Sequence, residues 1–380
     1  MQLTIQDLED LIEGGALLGS GGGGNKSTGR LLLDYIKQNG QYPLQLLMSP
    51  EEPERGDTTG CVIADIGANS SSEDNQYDAV LSAFQTISTL LKNQSNQSLG
   101  FVLPIETGPE NSLAPFVVSA HFGIPVIDAD GAGRAIPVLE LSTYADICPF
   151  PTILANSLGD YISVHLSEIK DLDVMLRPIT STKLFGNSGS LAIWPAEYNS
   201  FKQCMNEGAI SYAIECGRLL RNLTAEDVPD ATMVARLNTR RATLLAEGTV
   251  VAIDTTINGG FDYGCVKIHG NNGEKWSVLN QNENMLCYGQ SQRGILLSAP
   301  ASICYLKTDG TPVTNAEIAI GDSIFLLGIA PIQAFEDRKY LEKFRSQLEE
   351  LSYYGELKYL LNEGEGLGTL LMRLFPLKKE

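Results

Sequence analysis

The chain has 380 residues, 43% hydrophobic and 19% charged, the make-up of a globular protein long enough for two ordinary domains. A formal net charge of −19 without any dense Lys/Arg cluster opposes a nucleic-acid backbone or an anionic lipid surface. A small molecule is the expected partner, with no nucleic acid and no membrane. Residues 1–7 lack the basic and apolar regions of a secretory signal, and no apolar run approaches the ~20 residues of a spanning helix. Seven scattered cysteines without a C-x-x-C pair are expected as free thiols in a cytoplasmic protein.

In chain order, Thr4 and Asp7 form a capping-box pattern before Leu8, Leu11 and Ile12, and this helix is expected to stop at Gly14-Gly15. Ser20-Gly21-Gly22-Gly23-Gly24-Asn25 follows, with Ser27 or Thr28 as the expected cap of a helix carrying Leu31, Leu32, Tyr35 and Ile36. A glycine loop feeding a helix N-terminus suits an anion; a flexible hinge is the other reading. Strands are expected at 44–48, 61–66, 99–105 and 124–127, with a Pro/Glu-rich loop and the polar stretch 68–75 between them. Val80, Phe84, Ile87 and Leu91 mark one amphipathic helix, and Leu113, Phe116, Val117 and Ala120 another, capped by Asn111 or Ser112.

This alternation predicts an α/β three-layer sandwich with a mostly parallel sheet over residues 1–240. The apolar run 124–127 breaks into Asp128, Asp130, Gly131, Gly133 and Arg134, at the strand end where open α/β sheets bind ligands. An Asp-Gly turn closed by an Asp–Arg pair is the structural alternative. Glu106 and Asn111 also follow a strand directly, so both loops are expected at one sheet edge, joined by Gly21–Gly24 and Asn25.

Helices are expected at 209–220 and 234–245. Short strands at 249–255, 264–268, 276–279, 295–297, 303–306 and 323–327 then predict a β-barrel over 241–332. Asn282, Glu283 and Asn284 form a polar connection between two of these strands, and are expected to reach the cleft from the barrel. Residues 335–361 are expected to be largely helical, within a C-terminal helical segment 333–380.

Five segments together resemble the S-methyl thiohydantoin desulfurase family, long catalogued as a domain associated with hydantoinases. They are residues 19–25, the Glu-Thr-Gly-x-x-Asn of 106–111, residues 123–135, the Gly-Gly-Phe-Asp-Tyr-Gly of 259–264 and the Asn-Gln-Asn-Glu-Asn of 280–284. The chain departs from that pattern at Ile136-Pro137-Val138-Leu139-Glu140 and beyond Phe335. The resemblance implies an α/β sandwich followed by a β-barrel, and work on five-membered cyclic ureides or their sulfur analogues.

Displacing a sulfur substituent from such a ring by water requires a base, an oxyanion site and a positive group. Glu106, Asp128 and Asp130 are the candidate bases, the backbone of Gly21–Gly24 the oxyanion site, and Arg134 the clamp for a carboxylate or a ring anion. A divalent metal on Asp128, Asp130 and Glu106 is the competing arrangement; His121, His165 and His269 are too dispersed for a zinc site. A non-catalytic subunit or ligand-binding partner of a hydantoinase-like enzyme is the alternative from another class; a homo-oligomer or a hydantoinase-like subunit is the expected protein partner.

Overall fold

The computed structural model describes residues 1–40, 44–47, 58–67, 76–289, 294–359 and 364–376. Met48, the Pro/Glu-rich loop up to residue 57, the stretch 68–75 and residues 360–361 lie outside them.

The first half contains β1 (Gln2–Leu3), α1 (Ile5–Leu18), α2 (Lys26–Asn39), β2 (Leu44–Leu47), β3 (Thr59–Gly67) and α3 (Gln76–Ser95). It continues with β4 (Leu99–Pro104), α4 (Ala114–Phe122), β5 (Val126–Ile127), β6 (Ala129–Asp130), β7 (Thr152–Ala155) and β8 (Tyr161–Val164). Then come α5 (Lys170–Thr180), β9 (Ser188–Glu197), α6 (Tyr198–Lys202), β10 (Asn206–Glu207), α7 (Ala209–Thr224) and α8 (Ala231–Leu237). One sheet runs β1-β2-β5-β4-β3-β9-β7-β8. The inner run β2, β5, β4, β3 is parallel, whereas β1, β9, β7 and β8 join antiparallel. The sheet is therefore mixed, not mostly parallel.

The apolar run of β3 explains why it sits in the middle. Cys61 and Ile63 face a core shared with α1, α2, α3, α4 and α7. Val62, Ala64 and Ile66 face a second core built with Phe101, Leu172, Leu176 and Trp194. Burial on both faces is what a continuous apolar strand demands.

Three local expectations are corrected. Helix α1 does not stop at Gly14-Gly15 but runs to Leu18. A Cβ on Gly14 would stand 1.8 Å from Ala213 O, and one on Gly217 1.9 Å from Asp10 O. These glycines let α1 and α7 pack backbone against backbone. Helix α2 is capped by Asn25, whose side chain accepts from Thr28 N at 2.8 Å, not by Ser27 or Thr28 themselves. Helix α4 has no side-chain cap, because Asn111 and Ser112 bond elsewhere in their own loop.

The second half is antiparallel: β11 (Arg241–Asn258), β12 (Phe261–His269), β13 (Lys275–Gln281), β14 (Glu283–Gly289), β15 (Gly294–Ser298), β16 (Ser302–Lys307), β17 (Pro312–Val313) and β18 (Ser323–Ile329). The helix expected at 234–245 ends at Leu237, and β11 starts at Arg241. Pairing with β18, and with Glu365–Gly366 at its first residues, overrides the helical leaning of its Ala-Thr-Leu-Leu-Ala run. Among the described residues the hydrogen-bonded order runs β15-β14-β13-β12-β11-β18-β16-β17 and does not close; the expected barrel is an open sheet. The C-terminal part holds α9 (Arg338–Glu350), β19 (Glu365–Gly366) and α10 (Leu367–Leu374), and residues 351–359 are not helical.

Phe335, Tyr340, Phe344 and Leu348 of the α9 region pack on Ala132, Ile136, Met285 and Leu286. This segment braces the region between the two sheets. Among the described residues no helix is long and apolar enough to cross a membrane.

Candidate active site

Strands β3 and β4 are parallel neighbours, so their carboxyl ends share one edge of the sheet. There a cavity is lined by Gly23 and Gly24, by Asp65 at the end of β3, and by Glu106, Glu110 and Asn111 after β4. Residues 136–139, Arg177 of α5, and Asn282 and Glu283 from the second sheet complete much of the wall. It holds about 60 Å³ of space for the centres of water-sized groups. That is room for several such groups side by side.

Glu106 is 4% exposed. Its Oε1 accepts from Asn111 Nδ2 at 2.6 Å and its Oε2 from Ile136 N at 2.7 Å. Burial pushes its pKa up to about 7, against the pull of those two donors. Asn111 Oδ1 in turn accepts from Asp65 N at 2.7 Å.

Asp65 Oδ1 accepts from Gln76 Nε2 at 2.8 Å and from Ser190 Oγ, and its carboxyl group stands beside that of Glu110. Two acids in that contact share a proton. Burial pushes Asp65 up to about 6; burial and then the Asp65 charge hold Glu110 well above the carboxylate range. Glu283, 2% exposed, is likewise raised well above it by burial and by the Glu106 charge.

The glycine loop fits around these acids. A Cβ on Gly22 would stand 2.1 Å from Glu283 Oε1, and one on Gly24 2.2 Å from Glu110 Oε2. Gly24 also adopts φ +86°, which favours glycine. Gly23 O accepts from Glu110 N and Asn111 N, each at 3.2 Å, and Asn25 N donates to Glu110 Oε2 at 3.3 Å. Gly21 O accepts from Asn315 N at 2.8 Å.

The other expected residues occupy the supporting frame. Asp128 Oδ1 accepts from Ser211 N at 2.9 Å in the first turn of α7. Asp130 accepts from Thr107 Oγ1 at 2.6 Å, Asn206 Nδ2 at 2.8 Å and Gly133 N at 2.9 Å. Gly133 O accepts from Arg240. Arg134, 1% exposed, donates to Ala135 O, Ala301 O, Pro300 O and Asn284 O.

Asn284 ties the second sheet to the glycine loop: its Nδ2 donates to Ile303 O at 2.8 Å and its N to Ser20 O at 2.7 Å. Asn282, at φ +55°, turns the chain from β13 into β14, and its Oδ1 accepts from Asp262 N. Asp128, Asp130, Gly133, Arg134 and Asn284 stand outside the cavity lining, as do Gly21, Gly22 and Asn25, whereas Gly23 and Gly24 are part of it.

The carboxylate set expected for a divalent metal is not assembled. Asp128 and Asp130 are engaged apart from Glu106, and among the described residues no group of three or more His, Cys, Asp or Glu side chains is placed to hold a metal ion. The histidines are remote from the lining: His121 meets Tyr35, and His165 stacks on Phe150.

Sequence reading missed Asp65, Glu110 and Arg177. Glu110 lies in the same polar loop as Glu106, and Asp65 breaks an apolar strand near its end; both are signals of a kind. Arg177 lies over the Phe261 ring at 3.7 Å, with Nε on Asp173 Oδ1 at 3.2 Å and Nη1 on Gly260 O at 2.9 Å. Only the tertiary fold brings it to the cavity.

The fold is thus a mixed α/β layer joined to an antiparallel sheet, with buried acids at the strand ends. Residues 6–165 match the model of the S-Me-THD-like N-terminal domain, and residues 167–344 that of the S-Me-THD-like C-terminal domain. The chain belongs to this S-Me-THD-like family. A crystal structure of a protein from Chromobacterium violaceum has the same fold, with a TM-score of 0.80 and 24% identity over 94% of this chain and 99% of that one. No curated protein matches the chain.

Proposed function

We propose that the protein is a hydrolase that removes a sulfur substituent from C2 of a five-membered cyclic ureide analogue, a thiohydantoin-type ring, in the cavity around Glu106. The observation that carries this reading is Glu106 itself, buried on a small cavity and brought to a pKa of about 7. A general base works best when its pKa lies near the operating pH. Ionised Glu106 takes a proton from water as the C2–O bond forms, and the resulting acid returns it to the departing sulfur as the C2–S bond breaks. The second proton of the water ends on the ring nitrogen as C2=N becomes C2–N–H. The products are the C2 carbonyl and a thiol. The Asp65–Glu110 pair and Asn111 offer both donors and acceptors, the alternation that a ureide edge presents. Membership of the S-Me-THD-like family supports this ring class. The cluster of acids on one small cavity supports an enzyme over a docking subunit.

The test is thiol release from an S-methyl thiohydantoin. Glu106→Gln is expected to fold and to slow release about 100-fold or more. Release at the same rate in that variant, or none from the unaltered protein, overturns the reading.

A further inference from the structure

Glu283 enters the cavity from the start of β14. Its Oε2 is buried and meets no hydrogen-bond partner among the described residues. Buried polar atoms in folded proteins are nearly always satisfied, so an orphan on a cavity wall marks a place where a ligand completes the set.

Glu106 and Glu283 line this cavity in opposite surroundings. Each oxygen of Glu106 receives an N–H, one from Asn111 Nδ2 and one from Ile136 N, which suits a carboxylate. Glu283 Oε2 receives none. The guanidinium groups of Arg134 and Arg177 direct their donors elsewhere. Arg134 donates to the carbonyls of residues 135, 284, 300 and 301. Arg177 donates to Asp173 Oδ1, Gly260 O and Pro137 O. A buried carboxyl group that no cation pairs keeps its proton, and burial and the Glu106 charge both raise Glu283 in that sense. An O–H is what the orphan atom offers a ligand.

We propose that Glu283 is an uncharged hydrogen-bond donor to the ring oxygen on C4, and that it stabilises the charge which water addition at C2 sends to that oxygen. The inference rests on the reading above that the ligand is an S-substituted cyclic ureide analogue. In the tautomer with C2=N3, the double bond is conjugated through N3 with the C4 carbonyl. Glu106 takes the first proton of the water as the C2–O bond forms, and the C2=N3 electron pair moves onto N3 and out to the C4 oxygen. A donor already aimed at that oxygen stabilises the charge without reorganisation. The second proton of the water then passes to N3, the C2–S bond breaks, and the sulfur leaves with the proton held by Glu106. Glu283 keeps its own proton throughout.

Calorimetric titration of the full chain with two uncharged rings tests this. One is hydantoin, and the other is imidazolidin-2-one, which lacks the C4 oxygen. Hydantoin is expected to bind about tenfold tighter or more. Glu283→Met, similar in volume but without a donor, is expected to remove that preference. Glu283→Gln, whose amide N–H still donates, is expected to keep it. With saturating S-methyl thiohydantoin, Glu283→Met is expected to release thiol at least about tenfold more slowly than Glu283→Gln. Equal binding of the two rings overturns the inference, as does no binding of hydantoin. A preference that survives Glu283→Met, or equal losses in both variants, overturns it too. If Glu283→Met does not fold, the preference in the unaltered protein and in Glu283→Gln decides. Thiol release without the preference refutes this inference and spares the hydrolase reading. The preference without thiol release refutes the hydrolase reading and leaves Glu283 as the donor to a ring carbonyl.

Discussion

Asn111 holds Glu106 and Asp65 in one frame: its Nδ2 donates to Glu106 Oε1 at 2.6 Å while its Oδ1 accepts from Asp65 N at 2.7 Å. The first bond favours the ionised form of Glu106 and opposes the rise caused by burial. Removing it in Asn111→Ala is expected to move the rising limb of the pH–rate profile above its position near pH 7. Steady-state rates across pH 5–9 check this; an unmoved midpoint would sever Asn111 from the titration of Glu106.

The same group leaves a mark on stability. Its folded pKa of about 7 lies above the ordinary value of 4.5, so the folded state holds the proton more tightly. That stabilisation is complete below about pH 4.5 and is lost as pH rises through about 7. Thermal midpoints of the unaltered protein are expected to fall more steeply over this window than those of Glu106→Gln. Parallel curves would contradict the assignment.

Gly22→Ala isolates the fit between the glycine loop and Glu283. The added methyl stands 2.1 Å from Oε1, so the carboxylate is pushed aside. The expected outcome is a stability loss of about 1–3 kcal/mol with a larger proportional loss of ligand affinity, read by denaturant unfolding beside calorimetry.

Gly217→Ala sets two effects against each other. Alanine favours a helix interior by about 1 kcal/mol over glycine. Its Cβ, however, would stand 1.9 Å from Asp10 O, a backbone atom that moves only with helix α1. The clash wins, and the melting temperature is expected to fall. A rise would show that α1 and α7 separate freely.

Arg134→Lys tests the frame. Lysine lacks the planar fork that reaches Ala135 O, Ala301 O and Asn284 O together. A loss of about 2 kcal/mol or more in stability is expected, with ligand affinity of the folded protein retained. Lost affinity at unchanged stability would return Arg134 to ligand binding.

Much of the α/β half was legible because apolar runs such as 61–66 and 99–105 have few alternatives to a buried strand. Gly14-Gly15 misled because glycine breaks a lone helix but serves a close helix pair, and the partner, Gly217, is far away in sequence. Residues 241–245 misled because their propensity is local and their pairing is not. Within the site, Glu106 and Asn111 stood out in a polar loop directly after a strand, and Glu283 in an unusually polar connection between two strands. Arg134 read as a ligand clamp because its sequence neighbours are acids and glycines; the carbonyls that occupy it come from residues 284, 300 and 301. Arg177 gave no such signal, being one arginine of an amphipathic helix.

The clasp between Ser20 and the second sheet bears on the order of events during synthesis. Ser20 Oγ accepts from Ile303 N at 2.9 Å, and Asn284 N donates to Ser20 O at 2.7 Å, contacts that span more than 260 positions of chain. Closing so long a loop is slow, and domains emerge from the ribosome N-terminus first. The four glycines therefore wait, solvated and without their clasp, while most of the protein is still being made. The glycine loop reaches its final place only after β14 and β16 have been made, so an N-terminal wall of the cavity is set by chain that follows it by more than 260 positions.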